Sequence, residues 1–120
     1  MYAPRNRSIY WNQSFAVPTS GNAHAISVDV TAHGYPSTAT AVDLLLGCKS
    51  KGDGAYVTAY DGTSGSTESI AIYPTAPLRQ GWNFGRGRVQ LSGSKFLLRI
   101  RPVEHPIDVI ATLKGYYTLE

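Results

Sequence analysis

The sequence predicts an all-β chain, folded as an antiparallel β-sandwich of the jelly-roll-like or immunoglobulin-like kind, with seven or eight short strands and an extended N-terminal arm. Two observations support this prediction. Short segments of apolar and polar residues recur at even spacing, with glycine or proline between them. No window of about eleven residues keeps the apolar spacing of an amphipathic helix without glycine, proline or β-branched interruptions.

Length and composition indicate one folded, turn-rich domain. The chain has 120 residues, of which 42% are hydrophobic and 16% charged, with 12 glycines and 7 prolines. No apolar run approaches the roughly 18 residues needed to cross a bilayer, so we expect no membrane span. Residues 1–10 lack the apolar stretch of a secretory signal. The single cysteine, Cys48, cannot form an internal disulfide, so the fold depends on packing or on partner chains.

The first half of the chain holds three predicted strands. Residues 24–31 alternate apolar with polar side chains, which buries one face of a strand. Residues 41–48 form a dense apolar run, which predicts a central strand covered on both faces, with Cys48 as a buried thiol near its end. Residues 55–60 alternate again. The Gly-Asp-Gly segment at 52–54 predicts a hairpin turn that makes these last two strands neighbours.

The second half predicts four more strands, at residues 69–73, 86–91, 95–101 and 107–117. Residues 95–101 are the most regular of them, because apolar side chains on one face oppose mainly basic side chains on the other. Residues 74–77 and 81–87 read as a long irregular connection. Such a connection inside a compact domain indicates that it binds something or contacts a neighbour.

The first 23 residues differ in character from the rest. We therefore divide the chain into an N-terminal arm, residues 1–23, and a β-sandwich domain, residues 24–120. The arm is polar and extended but carries Tyr10 and Trp11. A free arm with these aromatic side chains would lower solubility, so we expect it to lie on its own domain's sheet or on a neighbouring subunit. Tyr10 and Trp11 are thus candidates for assembly or ligand contacts.

Basic residues are concentrated late in the chain. The net charge is +3, and residues 79–101 contain six basic residues and no acidic one. If 86–91 and 95–101 are paired strands, one basic stripe forms across them, made of Arg86, Arg88, Arg99 and Arg101. This stripe has three interpretations: a solvated face without a ligand, a surface that meets acids on another subunit, or a nucleic-acid site next to aromatic side chains that stack on bases.

The segment at residues 81–85 has two aromatic side chains between glycines. Trp82 and Phe84 flank Asn83, and this combination suits a sugar site, because ring faces contact apolar C–H groups while the amide addresses hydroxyls. The other interpretation is that both rings cover the end of the sandwich or fill a subunit interface. We favour packing or an interface.

The catalytic and metal-binding motifs that we searched for are missing from the sequence. It has no Gly-x-Ser-x-Gly, no Gly-x-x-x-x-Gly-Lys and no His-Glu-x-x-His pattern. The histidines His24, His33 and His105 fall on different predicted elements and give no metal-ligand spacing. We therefore predict no enzymatic activity, no cofactor and no metal site.

One stretch resembles a known class of proteins. Residues 42–56 read Val-Asp-Leu-Leu-Leu-Gly-Cys-Lys-Ser-Lys-Gly-Asp-Gly-Ala-Tyr, an apolar strand that ends near a cysteine and is followed by a glycine-rich turn with an acid and a tyrosine. This resembles the small all-β modules of tailed-phage virions, in tail fibres, head spikes and decoration proteins. The resemblance covers about half of the chain. It implies a non-enzymatic structural protein, commonly homo-oligomeric, attached to other virion proteins and able to touch host glycans.

These observations together predict a structural virion protein, a capsid decoration or a tail or spike component that acts through oligomeric assembly and surface contacts. In that assembly we expect residues 2–15 to lie on an adjacent subunit, the loop with Trp82 and Phe84 to dock or recognise a partner, and the basic stripe to meet an acidic surface. A virion assembled in the host cytoplasm also fits the single thiol and the missing signal. Two alternatives stay open, a lectin-like carbohydrate-binding module and a nucleic-acid-binding β protein.

Overall fold

The computed structural model of the chain describes residues 1–74 and 81–119. This part of the chain contains eight strands: β1 (Tyr2–Phe15), β2 (His24–Asp29), β3 (Ala41–Lys49), β4 (Tyr56–Tyr60), β5 (Glu68–Ile72), β6 (Asn83–Gln90), β7 (Lys95–Arg101) and β8 (Ile107–Tyr117). A single 3₁₀ turn, Val30–His33, follows β2. It begins there because the Asp29 carboxylate accepts hydrogen bonds from the backbone N–H and the hydroxyl of Thr31.

The strands form two four-stranded antiparallel sheets. The first sheet has the order β1-β8-β3-β6 and the second has the order β2-β7-β4-β5. Among the described strands only β4 and β5 follow each other within one sheet, while the other successive strands alternate between the two sheets. This order is consistent with a jelly roll, and it confirms the predicted all-β sandwich.

The core lies between the inner faces of the two sheets. Its largest fully buried side chains are Phe96, Leu44, Leu46, Leu98, Ile100, Ile107 and Leu113. As predicted, β3 is a central strand that is buried along most of its length. The predicted burial of Cys48 is also confirmed, and its burial raises the pKa of the thiol to about 12.

The predicted hairpin between β3 and β4 is wrong, because the two strands belong to different sheets. The segment that joins them crosses one end of the sandwich. There it passes close to the loop before β8: a Cβ atom added at Gly52 would lie 2.0 Å from the Val103 carbonyl oxygen. The glycine at this position therefore permits a close approach of two backbones rather than a tight reversal.

The N-terminal segment lies on the sheet of its own chain. Strand β1 pairs with β8 from Tyr2 opposite Tyr117 to Phe15 opposite Ile107, with three register shifts on the way. The assembly prediction placed residues 2–15 on an adjacent subunit, and the structure corrects it: these residues complete the sheet of their own chain, which was the other place weighed for the arm. The boundary that we drew after residue 23 falls in the connection between β1 and β2. Within the described residues, β1 is an edge strand with β8 as its only neighbour.

The connection predicted at 81–87 is largely strand, because β6 begins at Asn83. Gly85 and Gly87 point inward from β6, where added Cβ atoms would lie 3.1 and 3.2 Å from the side chain of Ile70. The glycines thus make room for an isoleucine of β5, and the alternate residues of β6 point outward. The remaining part of that predicted connection, residues 75–80, lies outside the described residues.

Candidate functional site

The outward-pointing side chains of the two sheets form two opposite surfaces, which we call face A and face B. Face A belongs to the sheet β1-β8-β3-β6, and face B belongs to the sheet β2-β7-β4-β5. The residues that the sequence singled out are divided between these faces and the core.

Face A carries a pair of stacked aromatic rings at its β6 edge. The ring centroids of Trp82 and Phe84 lie 6.0 Å apart with an interplanar angle of 20°. Phe84 pairs with Gly47 of β3, and a Cβ atom added at Gly47 would lie 2.5 Å from the Phe84 ring. The Phe84 ring therefore lies directly on the sheet. A residue larger than glycine at position 47 would push the ring away from the sheet. Phe84 is nevertheless 55% exposed.

Trp11 is placed at the opposite edge of face A. The register pairs Tyr10 with Ala111 and Gln13 with Val109, which leaves Trp11 and Asn12 opposite Ile110. This bulge is accompanied by a positive φ of 52° at Asn12. Ile110 in turn pairs with Gly47, the residue under Phe84. Trp11 is 75% exposed.

One row of apolar residues thus crosses face A from edge to edge. We call it the aromatic row, and it consists of Trp11, Ile110, Phe84 and Trp82. The sequence named three of its four members, but only the strand order brings them together.

The other two contact candidates have different surroundings. Tyr10 is partly buried against the core, with its ring edge-to-face against Phe15 at 5.2 Å. Burial raises the pKa of its hydroxyl. The Asn83 side-chain amide donates a hydrogen bond to the Gly81 carbonyl oxygen at 3.2 Å. Tyr10 therefore acts in packing, and Asn83 helps to fix the backbone beside the stacked rings.

The four arginines do not form one stripe. Strands β6 and β7 lie in different sheets, so Arg86 and Arg88 belong to face A while Arg99 and Arg101 belong to face B. The prediction failed because it treated strands that are adjacent in sequence as paired. The two pairs instead point away from each other on opposite sides of the sandwich.

The face A arginines are engaged by neighbouring side chains. Arg86 forms two hydrogen bonds with the Asp43 carboxylate, at 3.0 and 2.6 Å. Mainly for this reason the pKa of the Asp43 carboxyl lies below its usual value. The Arg88 guanidinium carbon lies 4.2 Å from the centroid of the Tyr117 ring.

The arginines of face B lie over tyrosine rings. Arg99 is 5.0 Å from the ring centroid of Tyr60, and Arg101 is 6.0 Å from that of Tyr56. Tyr73 adds a third ring, 5.5 Å from Tyr56. The alternation of residues 55–60 in the sequence puts Tyr56 and Tyr60 on one face of a strand. It cannot place them beside arginines, because that contact depends on the pairing of β4 with β7.

Within residues 1–74 and 81–119, no three histidine, cysteine, aspartate or glutamate side chains are close enough to hold a metal ion. In the same ranges no helix has the length and apolar character to span a membrane.

Comparisons with known proteins give a likeness of fold. No protein-family model and no curated protein matches the chain. Among solved structures, it is similar to a chain in the structure of infectious bursal disease virus, Gx strain, with 12% identity and a TM-score of 0.48 over 98% of this chain and 32% of that one. A Nora virus structure gives 16% identity and a TM-score of 0.40 over 99% of this chain and 59% of that one.

The chain thus spans about a third of the first of these relatives and about three fifths of the second. At such identities the likeness concerns the general fold alone. Both structures are of viruses, but neither is named as a phage module, so the resemblance to tailed-phage modules stays a prediction.

Proposed function

We propose that this chain is a non-enzymatic structural protein of a virion that associates with copies of itself through face A. The observation that carries the proposal is the aromatic row, because it leaves two large aromatic side chains exposed at opposite edges of one sheet face. Between these edges Ile110 is only 8% exposed, so the exposed part of the row is Trp11 at one edge and Phe84, stacked on Trp82, at the other. Exposed aromatic side chains of this size fit a site of contact with another molecule.

The row has the properties of an interface anchor. Trp11 and Phe84 are residue types that dominate the binding energy of protein interfaces when they become buried. Phe84 is held flat on Gly47 and stacked on Trp82 in the isolated chain, so little side-chain freedom is lost on contact. A surface of this kind can bury apolar area without first rearranging.

The edge of β1 adds a second element to the same surface. An edge strand of 14 residues offers unpaired backbone groups to another strand. Its first half contains Pro4, Arg5 and Arg7, which discourage pairing, whereas residues 8–15 contain no proline and no charged residue. The pairing-competent half is therefore the one that carries Trp11. A second copy, related by a two-fold axis, would offer the same edge and the same row.

We assign the finer role, a capsid decoration or a tail or spike component, on the phage-module resemblance of residues 42–56. Jelly rolls occur in viral capsid proteins and also in lectins and cupins, so the fold is compatible with this role without requiring it. In this proposal the partners are further copies of the chain and other virion proteins, and the site of action is the virion.

The mass of the protein in solution tests self-association. We expect light scattering after size exclusion to give a mass above the monomer's 13.0 kDa. Trp11→Ser and Phe84→Ser should each shift the mass to the monomer value at the same concentration. Tyr73→Ser, which removes an exposed aromatic ring from face B, is the matched control and should leave the mass unchanged. A wild-type protein that stays monomeric at every concentration contradicts the proposal.

The structure affects the two alternative functions, nucleic-acid binding and carbohydrate binding, in different ways. Nucleic-acid binding relied on the arginine–glycine segment at residues 85–88 beside Trp82 and Phe84, and on the stripe of four arginines. The separation of β6 from β7 removes that stripe and leaves Arg86 and Arg88 on face A with the two rings, where Arg86 is bound to Asp43. Carbohydrate binding was predicted at Trp82, Asn83 and Phe84, which we assign here to self-association. A different group of residues, the tyrosines and polar side chains on face B, is the observation that supports it.

A further inference from the structure

Three neighbouring strands place a polar and aromatic group at the centre of face B. On β4, Tyr56, Thr58 and Tyr60 all point outward, because they pair with the outward residues Arg101, Arg99 and Leu97 of β7. We call the six residues that carry the argument the face B patch: Tyr56, Thr58, Tyr60, Glu68, Tyr73 and Arg101.

The patch has rings at both ends and a small residue between them. The rings of Tyr73 and Tyr56 are in contact at one end of the patch, and Tyr60 lies at the other end. Between them Thr58 pairs with Ala71 of β5, whose side chain is short and exposed. The rings therefore flank Thr58, whose own side chain is fully covered by its neighbours.

The Glu68 carboxylate is the acceptor shared by two of the rings. The hydroxyls of Tyr60 and Tyr73 both donate to its Oε2 atom, at 3.4 and 3.3 Å. Hydroxyl donors normally approach an acceptor to about 2.7 Å, so these two contacts are long and weak. Hydroxyl groups of a ligand could replace them with shorter bonds at little cost.

Thr58 supplies an independent sign of a ligand. Its side chain is fully buried, and its Oγ1 atom has no hydrogen-bond partner among the described residues. A buried hydroxyl without a partner lowers stability, and a native chain that retains one needs a reason for it. If packing were the sole requirement at this position, valine, an aliphatic residue of the same shape, would make the folded chain more stable.

We propose that the face B patch binds a neutral saccharide, with a sugar ring between the tyrosine rings and above Thr58. Tyrosine faces contact the apolar C–H side of a sugar. Glu68 accepts from sugar hydroxyls, Arg101 and the tyrosine hydroxyls donate to them, and Thr58 Oγ1 gains a partner once the side chains that cover it move aside. This site lies opposite the aromatic row, so it is a second function, separate from self-association.

The mixture of charges favours this occupant over a nucleic acid. A phosphate backbone on the patch would meet the Glu68 carboxylate beside Tyr60, where like charges repel. A sugar hydroxyl both donates and accepts, so it matches a patch that contains a carboxylate beside guanidinium and phenol groups. A second protein copy is also a poor fit, because burial of Glu68 and Arg101 without direct partners would carry a large desolvation penalty.

Amide NMR spectra recorded during titration provide the test. The probes are the hexasaccharides of glucose in α and β linkage and of mannose in β linkage, each raised to about 10 mM, tenfold above a dissociation constant of roughly 1 mM. We expect at least one of them to shift amides of β4, β5 and β7 and to leave those of face A in place. Tyr73→Ser and Glu68→Gln should each weaken that binding about tenfold or more. Phe84→Ser is the matched face A control and should not change it.

A Thr58→Val variant separates the ligand role from a structural one. We expect it to raise the melting temperature, because it removes the unpartnered hydroxyl, and to weaken saccharide binding in the same sample. A rise in melting temperature with unchanged binding would show that the hydroxyl serves no ligand. The proposal is overturned if none of the three hexasaccharides shifts face B amides, or if an oligothymidylate does so while the saccharides do not.

Discussion

The Tyr2 hydroxyl donates a hydrogen bond to Asp43 Oδ2 at 3.1 Å, and the ring reaches it by crossing over Gly115. Tyr2 belongs to β1, Gly115 to β8 and Asp43 to β3, while Arg86 of β6 binds the same carboxylate. One carboxylate therefore links side chains from both edges of the first sheet across its two central strands.

The first prediction concerns the pH dependence of this link. Because the pKa of Asp43 is lowered in the folded chain, chiefly by Arg86, its ionised form contributes stability above the unfolded pKa of about 3.9. That contribution is lost as the pH falls through the lower, folded pKa. Asp43→Asn should therefore destabilise the chain near neutral pH and have less effect near about pH 3.

Chemical denaturation at both pH values measures this difference. Arg86→Gln is the matched variant, and it should remove most of the same pH-dependent stability, since it removes the main cause of the lowered pKa. An equal loss of stability at both pH values would show that the carboxylate acts through shape and not through charge.

The second prediction tests the crossing of Tyr2 over β8. A Cβ atom at Gly115 would lie 2.3 Å from the Tyr2 hydroxyl oxygen and 2.7 Å from the Ala3 carbonyl oxygen. Gly115→Ala should therefore displace the start of β1 and cost about 1 to 3 kcal/mol of unfolding free energy. Hydrogen exchange should accelerate in the first residues of β1 and stay slow in β7, which lies in the other sheet. Unchanged exchange in β1 would contradict this.

The third prediction concerns Gly47, the residue on which the Phe84 ring packs. Gly47→Ala should push the ring off the sheet and destabilise the chain by about 1 to 3 kcal/mol, because the added carbon would lie 2.5 Å from the ring. The three heavy atoms nearest to that carbon all belong to Phe84. The double variant Gly47→Ala/Phe84→Ala should therefore lose less stability than the two single losses added together. Additive losses would contradict this.

The fourth prediction follows from the separation of the arginines. Because Arg86 and Arg88 lie on one side of the sandwich and Arg99 and Arg101 on the other, no polyanion strand can contact all four along a straight path. Retention on heparin should be weak and lost below roughly 0.5 M salt. Replacing either pair with glutamine should reduce retention independently of the other pair. Retention that survives this salt concentration would restore nucleic-acid binding as a function.

The fold class was predictable because it depends on local patterns. Alternation in residues 24–31 and 95–101, and the apolar run at 41–48, are properties of neighbouring residues that burial on a sheet requires. Whether two successive strands share a sheet is not a local property. The turn at 52–54 has hairpin composition, yet its chain crosses between sheets because Gly52 admits the backbone of Val103.

The same reasoning explains which parts of the candidate sites were found. Trp11, Trp82 and Phe84 stand out by residue type, but their common row requires the register of four strands. Thr58 has no sequence signal, because a threonine in a strand is ordinary until its burial and its missing partner are known. Patterns thus identified the exposed aromatic side chains, and topology was needed to identify their neighbours.

The burial of Cys48 gives the chain its own reporter of opening. The thiol is fully buried, and it points from β3 into the space between the two sheets. A maleimide in solution can therefore react with it only during moments when the layers part. Since this is the sole sulfhydryl in the chain, the rate of alkylation under native conditions reports on that opening without any introduced label site: on its population when reclosing is faster than alkylation, and on its rate when alkylation is faster.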